Sequence, residues 1–237
     1  MQIDPYGEAL LAEFHQSPNR LPLYLHTSYG DIDEMPIEVF FRIEDDFSEL
    51  ESIALALCDG HVLDVGAGAG AHALYLQSRQ FNVTGLEISA LAASVMQQRG
   101  VADIVQGDFF AHQDARYDTL LFLMNGIGIA GTLTGFRTLL KHSRGLLTDR
   151  GQLLFDTSDI SYLYDDFDIN KPDHYFGEIT YQYEYNGRLG SEFPWLYLDQ
   201  QKLIEIANEE GWVVQILFED EQDQYLVRME PRSNDIK

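Results

Sequence analysis

The chain has 237 residues, enough for one sizeable α/β core, and its 39 acidic against 15 basic residues give a formal net charge of −24. A surface this negative repels phosphate backbones and anionic lipids, so we expect no nucleic-acid or membrane partner. The single cysteine, Cys58, excludes an internal disulfide and a thiolate metal cluster, and no apolar run is long enough to span a bilayer, so we expect a cytoplasmic protein without a metal site.

The first 57 residues are interpreted as an N-terminal helical cap, with helical patterns at 7–15 and 48–57 and proline-marked turns between them. From residue 61 onward, short apolar runs alternate with amphipathic ones. The expected strands are 62–65, 82–86, 103–106, 119–124 and 152–155, and the expected helices are 70–79, 89–99 and 132–147. This alternation is typical of a doubly wound α/β sheet with right-handed crossovers.

A different pattern begins after Phe155. Residues 156–198 are interpreted as an insertion covering the substrate site, and residues 178–185 within it alternate so that aromatic side chains share one face of a strand. A helix at 199–210 and an antiparallel hairpin of strands 212–218 and 225–229 follow. We therefore expect a single domain over 1–237, with a cap at 1–57 and a cofactor-binding core at 58–155 and 199–237.

The sharpest local signal is a glycine-rich turn between the first core strand and the first core helix. It follows Asp64 and contains Gly66, Ala67, Gly68 and Gly70. Glycines at a strand end let the backbone turn tightly and let a ligand approach where a Cβ would clash. A G-x-G-x-x-A pattern from Gly66 also fits the dinucleotide fingerprint, so the loop alone leaves open a nicotinamide or flavin cofactor, or a turn without a ligand.

Acidic residues follow the next two strands. Glu87 ends the second strand, 23 residues after Asp64 (87 − 64), where a carboxylate can accept hydrogen bonds from both ribose hydroxyls; an acidic helix start is the alternative. Asp108, after the third strand, can accept the adenine amino group, and Phe109 or Ile88 can provide an apolar face for the ring. These positions indicate a nucleoside-containing ligand.

Taken in order and spacing, these motifs, together with Tyr117-Asp118 and residues 151–155, resemble the successive motifs of class I S-adenosylmethionine-dependent methyltransferases. The resemblance covers about residues 48 to 156 and extends through the terminal hairpin. It implies a Rossmann-like mixed sheet of seven strands, an antiparallel terminal hairpin, and S-adenosylmethionine (SAM) as the cofactor, lying across the first four core strands.

The resemblance also implies roles for the matching positions. Asp64 and the loop from Gly66 to Gly70 would surround the methionine part of SAM, Glu87 would bind the ribose, and Asp108 with Phe109 and Ile88 would hold the adenine. Met124 ends the fourth strand, where the sulfonium would point. We further expect Arg42, with Tyr29 as a hydroxyl donor, to bind the cofactor carboxylate; a plain ion pair is the alternative for Arg42.

The acceptor is expected to be a small molecule, and its identity is not evident from the sequence. The segment after the fourth strand, Asn125-Gly126-Ile127-Gly128, lacks the Asn/Asp-Pro-Pro-Tyr/Phe motif of enzymes that methylate bases or protein glutamine. An aromatic insertion and a negative surface suit a cationic or aromatic acceptor, although packing and solubility would explain both features. The substrate-side candidates are Asn125, Asp156, Tyr181 and Trp195.

Two other functions remain open at this point. A catalytically silent, cofactor-binding regulatory protein would keep the same binding residues, and an NAD-dependent oxidoreductase would share the glycine pattern, although no Tyr-x-x-x-Lys pair is present. Binding of SAM in place of a nicotinamide nucleotide would exclude the oxidoreductase. Measured turnover would exclude the catalytically silent binding protein.

Overall fold

The computed structural model describes residues 3–18, 20–30, 32–113, 115–165 and 170–232. In chain order the elements are α1 (Pro5–Phe14), β1 (Leu23–Thr27), β2 (Ile32–Met35), α2 (Glu49–Ala56), β3 (His61–Val65), α3 (Ala71–Ser78), β4 (Asn82–Glu87), α4 (Ala90–Arg99), β5 (Asp103–Gln106), β6 (Tyr117–Phe122), α5 (Leu133–Leu146), β7 (Leu147–Ser158), α6 (Tyr162–Asp165), β8 (Glu178–Tyr185), β9 (Arg188–Leu189), β10 (Phe193–Leu196), α7 (Gln200–Glu209), β11 (Trp212–Glu219) and β12 (Gln224–Pro231). The outer limits of the expected domain, residues 1 and 237, lie outside the described residues.

A seven-stranded mixed sheet forms the core, in the order β11-β12-β7-β6-β3-β4-β5. The five strands from β7 to β5 are parallel to their neighbours, whereas β12 pairs antiparallel with both β7 and β11. The expected doubly wound fold with an antiparallel terminal hairpin is confirmed. The parallel strands bring the loops after β3, β4, β5 and β6 to one edge, which is where ligands bind in open α/β sheets.

Helices cover both faces of this sheet because its strands are apolar on both sides. Along β7, Leu153 and Phe155 pack in a cluster with α5 and α7, while Leu154 between them packs with α2, α3 and α4. All three side chains are fully buried. Successive strand residues point to opposite faces, so a strand covered on both sides needs an uninterrupted apolar run.

Side-chain caps define where the core helices begin. Ser89 accepts a hydrogen bond from Ala92 N at the start of α4, and Thr132 accepts one from Gly135 N at the start of α5. Gly100 ends α4 with φ +99, a conformation that glycine adopts without a Cβ penalty. The helices expected from these signals agree with the structure to within a few residues.

A second, smaller sheet lies beside the core, in the order β10-β8-β1-β2, with β9 paired to β8. The expectation of a helical N-terminal cap was therefore incomplete, because β1 and β2 lie between its helices. β1 pairs antiparallel with β8, with Leu25 opposite Tyr183. The residues of β1 do not form a clear apolar run, and the strand pairs with a partner more than 150 residues away in sequence.

Helix α1 joins the two sheets. Its Leu10 is buried in a cluster that contains Leu23 of β1, Ala92 and Val95 of α4, and the partly buried Tyr183 of β8. The N-terminal segment and the insertion thus form one layer, and this layer is anchored to the core through α4. As a result, the aromatic face of β8 lies near the carboxyl edge of the seven-stranded sheet.

Candidate active site

The glycine loop after β3 is an open turn. Gly66, Gly68 and Gly70 have φ of +72, +55 and +82, which side-chain-bearing residues rarely adopt. The amides of Gly66 and Ala67 both donate to Leu86 O, at 2.9 and 3.1 Å, so the turn is anchored to β4. A Cβ added to Gly66 would meet no protein atom within 4 Å, which leaves that face of the loop available to a ligand.

Asp64, the last polar residue of β3, lies beneath the loop. Its carboxylate accepts a hydrogen bond from the backbone of Ala73 in the first turn of α3, and burial raises its pKa. Its Oδ2 is buried and has no hydrogen-bond partner among the described residues. A buried acceptor of this kind is available to a ligand that brings a donor, such as an amino group.

Glu87 connects the loop to the start of α4. Its Oε2 accepts from Gly68 N at 2.9 Å and its Oε1 accepts from Ser89 N at 2.8 Å. Burial raises its pKa, and these two backbone hydrogen bonds oppose that shift. Each carboxylate oxygen has two lone pairs, so both can still accept a ribose hydroxyl.

Tyr6 of α1 also contacts the loop, which is not predictable from the residues around it. Its hydroxyl would be 2.7 Å from a Cβ built on Gly68. Its ring stacks on Tyr183 of β8, with centroids 5.5 Å apart, and meets the edge of Phe40 at 5.2 Å. Asp4 and Pro5 are recognisable as a helix start, but a cap signal does not indicate where the helix docks.

The N-terminal residues of α1 and α4 are hydrogen-bonded to each other. Asp4, the N-cap of α1, accepts from Gly7 N at 2.9 Å with Oδ1 and from Ser89 Oγ at 2.6 Å with Oδ2. Ser89 in turn donates its backbone N–H to Glu87. The position of α1 is thus coupled through two hydrogen bonds to a candidate ribose-binding carboxylate.

Arg99, at the end of α4, supports the loop from behind. Its guanidinium donates to Ala69 O at 2.7 Å and to Phe40 O at 3.2 Å, and it stacks over the ring of Phe41 at 5.0 Å. The side chain therefore ties the glycine loop to the segment after β2. From the sequence, Arg99 is predicted only as the last residue of a helix.

Arg42 has a structural partner in place of the expected cofactor carboxylate. Its guanidinium makes a bidentate ion pair with Glu51 of α2, at 3.0 and 2.6 Å, and also donates to Val39 O. Glu51 additionally contacts His72 Nε2 at 2.8 Å. Burial alone would raise the pKa of Glu51, but the hydrogen bonds with His72 and Ser48 N and the charges of His72 and Arg42 lower it to about 2. The geometry corresponds to the ion-pair alternative.

Tyr29, expected as a hydroxyl donor to the cofactor carboxylate, lies under the small sheet. It packs with Leu25, Ile160, Ile179 and Tyr181 in the cluster under the small sheet. The turn after β1 brings it there, because β1 pairs with β8 of the insertion. This pairing could not be read from the residues around Tyr29.

The expected adenine-binding residues are separated by the structure. Asp108 lies after β5, and its Oδ1 accepts from Phe110 N at 3.0 Å. Phe109 points into the core, where it is 3% exposed and meets the edges of Phe122 and His142. Ile88 is 68% exposed at the end of β4. Of the two apolar candidates, Ile88 is thus the one open to a ligand.

The turn after β6 is strained at two consecutive residues. Met124 and Asn125 have φ of +58 and +53, a conformation that costs free energy for residues with a Cβ. Asp156 Oδ2 holds this turn by accepting from Asn125 N at 2.9 Å, and it also accepts from Gln224 Nε2 at 2.8 Å. Burial raises the pKa of Asp156 to about 6.

The side chain of Asn125 is buried at this turn. Its Nδ2 donates to Leu196 O at 3.3 Å, the carbonyl of the residue that precedes Tyr197. Asn125 Oδ1 and Asp156 Oδ1 are buried without a partner among the described residues. Both oxygens add negative potential at this turn.

A cavity of about 540 Å³ lies between the small sheet and the end of β7. Tyr181 and Tyr197 are hydrogen-bonded to each other in its wall, at 3.1 Å. The lining is mostly aromatic, aliphatic and neutral polar: Tyr29, Ser158, Ile160, Tyr162, Leu163, Ile179, Tyr181, Tyr197, Gln222, Asp223 and Gln224. Leu196, next to Tyr197, links this cavity to Asn125.

Trp195 stands apart from that lining. Its indole packs against Gly128, where an added Cβ would be 2.2 Å from Trp195 Nε1. The close approach joins β10 to the turn after β6 and needs a glycine at that position. Of the four substrate-side candidates, only Tyr181 is in the described lining of the cavity. Asn125 and Asp156 lie behind that lining, and Trp195 packs against the turn after β6.

Two general features can be stated for the described part of the chain. No helix there is long and apolar enough to cross a bilayer. No cluster of three or more histidine, cysteine or carboxylate side chains there is arranged to hold a metal ion.

Comparison with known proteins finds a matching family and a similar solved structure. A family model described as a methyltransferase domain matches residues 63–155. A solved SAM-dependent methyltransferase from Bacteroides fragilis, in complex with S-adenosyl-L-homocysteine, is 37% identical over 97% of this chain and 95% of that chain, with a TM-score of 0.89. No curated protein sequence matches significantly.

More distant structures share the fold alone. The CcbJ methyltransferase from Streptomyces caelestis is 15% identical over 80% of this chain and 94% of that chain, with a TM-score of 0.61. The glycopeptide N-methyltransferase MtfA with SAM is 18% identical over 78% and 93%, with a TM-score of 0.56. From the ordered motifs, the fold and the 37% identical relative, the chain belongs to the class I SAM-dependent methyltransferases, and SAM is its cofactor.

Proposed function

We propose that this methyltransferase acts on a small molecule held in the tyrosine-lined cavity. The observation that carries the proposal is the hydrogen bond from Asn125 Nδ2, at the carboxyl end of β6, to Leu196 O, next to Tyr197 in the cavity wall. This contact joins a pocket of small-molecule size to the sheet edge beside the glycine loop. The layer formed by residues 1–57 and 156–198 would then cover the acceptor, and residues 58–155 and 199–237 would bind the cofactor.

The cofactor would lie along the loops after β3, β4 and β5. In this proposal the backbone from Gly66 to Gly70 contacts the methionine part, with Asp64 Oδ2 accepting from its amino group. Glu87 accepts from the ribose hydroxyls. Asp108 and Ile88 flank the adenine, and the hydroxyl of Tyr6 lies against the same loop.

When bound, SAM supplies an electrophilic methyl group on a sulfonium, and transfer needs alignment more than it needs acid–base groups. The residues of this chain would provide that alignment. The strained turn at Met124 and Asn125, held by Asp156, fixes the acceptor side of the site. Tyr6, Tyr183 and Phe40 form an aromatic wall beside the loop that would exclude water.

A glycine substitution tests the cofactor placement. Gly66→Ala adds a Cβ that meets no protein atom but would enter the volume assigned to the cofactor, and its positive φ adds about 1–2 kcal/mol of strain. Calorimetric titration should show that affinity for S-adenosyl-L-homocysteine falls at least about a hundredfold. Gly187→Ala is the matched control, because Gly187 also has positive φ and open space but lies in the exposed turn between β8 and β9. Equal affinities in the two variants would contradict the placement.

Turnover with a metabolite panel tests the acceptor class. The purified protein with SAM and a panel of small amines, phenols and alcohols should form S-adenosyl-L-homocysteine and a methylated small molecule, and Gly66→Ala should abolish both. Methyl transfer only to protein or nucleic acid would contradict the proposal. Cofactor binding with no transfer to any acceptor class would instead indicate a regulatory binding protein.

A further inference from the structure

The cavity that we assign to the acceptor has an unusual polarity. Asp223 is the one charged side chain in its described lining, and no basic side chain is present there. The rings of Tyr29, Tyr162, Tyr181 and Tyr197 supply aromatic surface. A carboxylate or phosphate on the acceptor would find no cation to pair with, whereas an ammonium group would find aromatic rings and a carboxylate.

The buried atoms behind the cavity show the same preference. Asn125 Oδ1 and Asp156 Oδ1 lack partners among the described residues, and both can only accept hydrogen bonds when Asp156 is ionised. Both residues are linked to the cavity lining, because Asn125 Nδ2 donates to Leu196 O next to Tyr197 and Gln224 Nε2 donates to Asp156 at 2.8 Å. The unpartnered oxygens lie behind the cavity wall, so they act on a ligand through their negative potential, which favours a cation over an anion.

The surroundings of the cavity mouth are also negative. Asp223 is shared with an adjoining depression of about 360 Å³, whose described lining includes Asp159, Asp199 and Glu219 and no basic residue. The net charge of −24 adds a long-range attraction for cations. A positively charged acceptor would therefore be concentrated at the mouth before it enters the cavity.

We propose that the methyl acceptor is an amine that is recognised as a cation by the tyrosine cavity and Asp223. This inference rests on the proposed function and adds the substrate class. Before transfer, the ammonium group loses one proton to solvent water, which frees the nitrogen lone pair. The nitrogen then bonds to the methyl carbon while the carbon–sulfur bond breaks toward sulfur, and the positive charge passes from sulfur to the methylated nitrogen.

Three probes of similar shape and different charge test the inference. Phenethylamine, phenethyl alcohol and hydrocinnamate are titrated calorimetrically into protein saturated with S-adenosyl-L-homocysteine, so that binding is measured without turnover. The amine should bind at least about tenfold more tightly than the alcohol or the carboxylate. Asp223→Asn should weaken amine binding several-fold and leave alcohol binding unchanged. Asparagine tolerates the positive φ of this position.

Asp149→Asn is the matched control, because it removes one exposed negative charge at the opposite end of β7. It should leave the amine preference unchanged. Equal or tighter binding of the alcohol or the carboxylate would overturn the inference, as would failure of the amine to bind at about 10 mM. In either case, the protein could still bind S-adenosyl-L-homocysteine and methylate an acceptor that is not an amine. The proposed function would then stand, so failure of the amine inference is distinguishable from failure of the proposed function.

Discussion

At the scale of single residues, the site depends on polar groups buried at the ends of strands. Asp64, Glu87 and Asp156 are all buried carboxylates with raised pKa values, and each accepts at least one backbone hydrogen bond from a neighbouring loop or helix start. Such groups cost stability unless they are satisfied, and they are concentrated at functional sites for that reason. The sequence indicated all three carboxylates as site residues, but not which backbone N–H groups donate hydrogen bonds to them.

Asp156 makes the stability depend on pH in a predictable direction. Its folded pKa of about 6 lies above the usual value for an aspartate near 4, so between these values the folded state binds more protons than the unfolded state. The contribution of Asp156 to stability therefore falls as pH rises through this window and stays lower above it.

Asp156→Asn should remove that dependence. Asparagine Oδ1 can still accept from Asn125 N and Gln224 Nε2. The free energy of unfolding of the variant, relative to wild type, should therefore increase between about pH 4 and pH 6, by up to about 3 kcal/mol. Urea denaturation across this range measures the difference. A difference that stays constant or shrinks as pH rises would contradict the burial of an ionisable Asp156, and Asp149→Asn serves as an exposed control on the same strand.

At the scale of elements, the sequence indicated the core well and the covering layer poorly. The strands and helices of the core carry their own signals: apolar runs, caps such as Ser89 and Thr132, and glycines at turns. In contrast, β1 pairs with β8, a contact across more than 150 residues that local patterns do not encode, and β2 pairs in turn with β1. The pairing of β1 with β8 places Tyr29 under the small sheet, and the docking of α1 brings Tyr6 to the glycine loop.

The hydrogen bond between Asp4 and Ser89 should control how firmly α1 is held over the cofactor. Asp4→Ala removes the N-cap of α1, which costs about 1 kcal/mol, together with the bond to Ser89. We expect faster hydrogen exchange at α1 amides and faster dissociation of S-adenosyl-L-homocysteine in stopped-flow measurements.

Thr132→Ala is the control for that experiment, because it removes the N-cap of α5 and has no contact with Ser89. It should leave both the exchange of α1 and the dissociation rate unchanged. If Asp4→Ala accelerates exchange in α1 but not dissociation, then α1 does not retain the cofactor.

At the scale of the whole molecule, charge is the dominant feature. The ion pairs of the described residues are mostly exposed, such as Arg20 with Glu13 and Lys202 with Glu205, and exposed pairs contribute little. With a net charge of −24, repulsion between like charges should outweigh them. The negative surface then lowers the stability of the folded state. In the proposed function, the same surface would attract a cationic acceptor.

Salt should therefore stabilise this protein. Raising NaCl from about 0.01 M to about 0.15 M shortens the screening length from about 30 to about 8 Å, which weakens repulsion across the surface. The thermal unfolding midpoint, measured by circular dichroism, should rise, and LiCl at equal ionic strength should give the same shift. A midpoint that falls with salt would indicate that the ion pairs matter more than the net charge.

The sequence by itself determined the fold family, the cofactor and the carboxylates at the strand ends, because these depend on short-range patterns and on fixed spacing along the chain. Only the tertiary structure decided that Phe109 packs inward while Ile88 is exposed, that Arg42 pairs with Glu51, and that Tyr6 reaches the glycine loop. The physical reason is that these side chains are positioned by packing between segments far apart in sequence, and residue spacing carries no record of that packing.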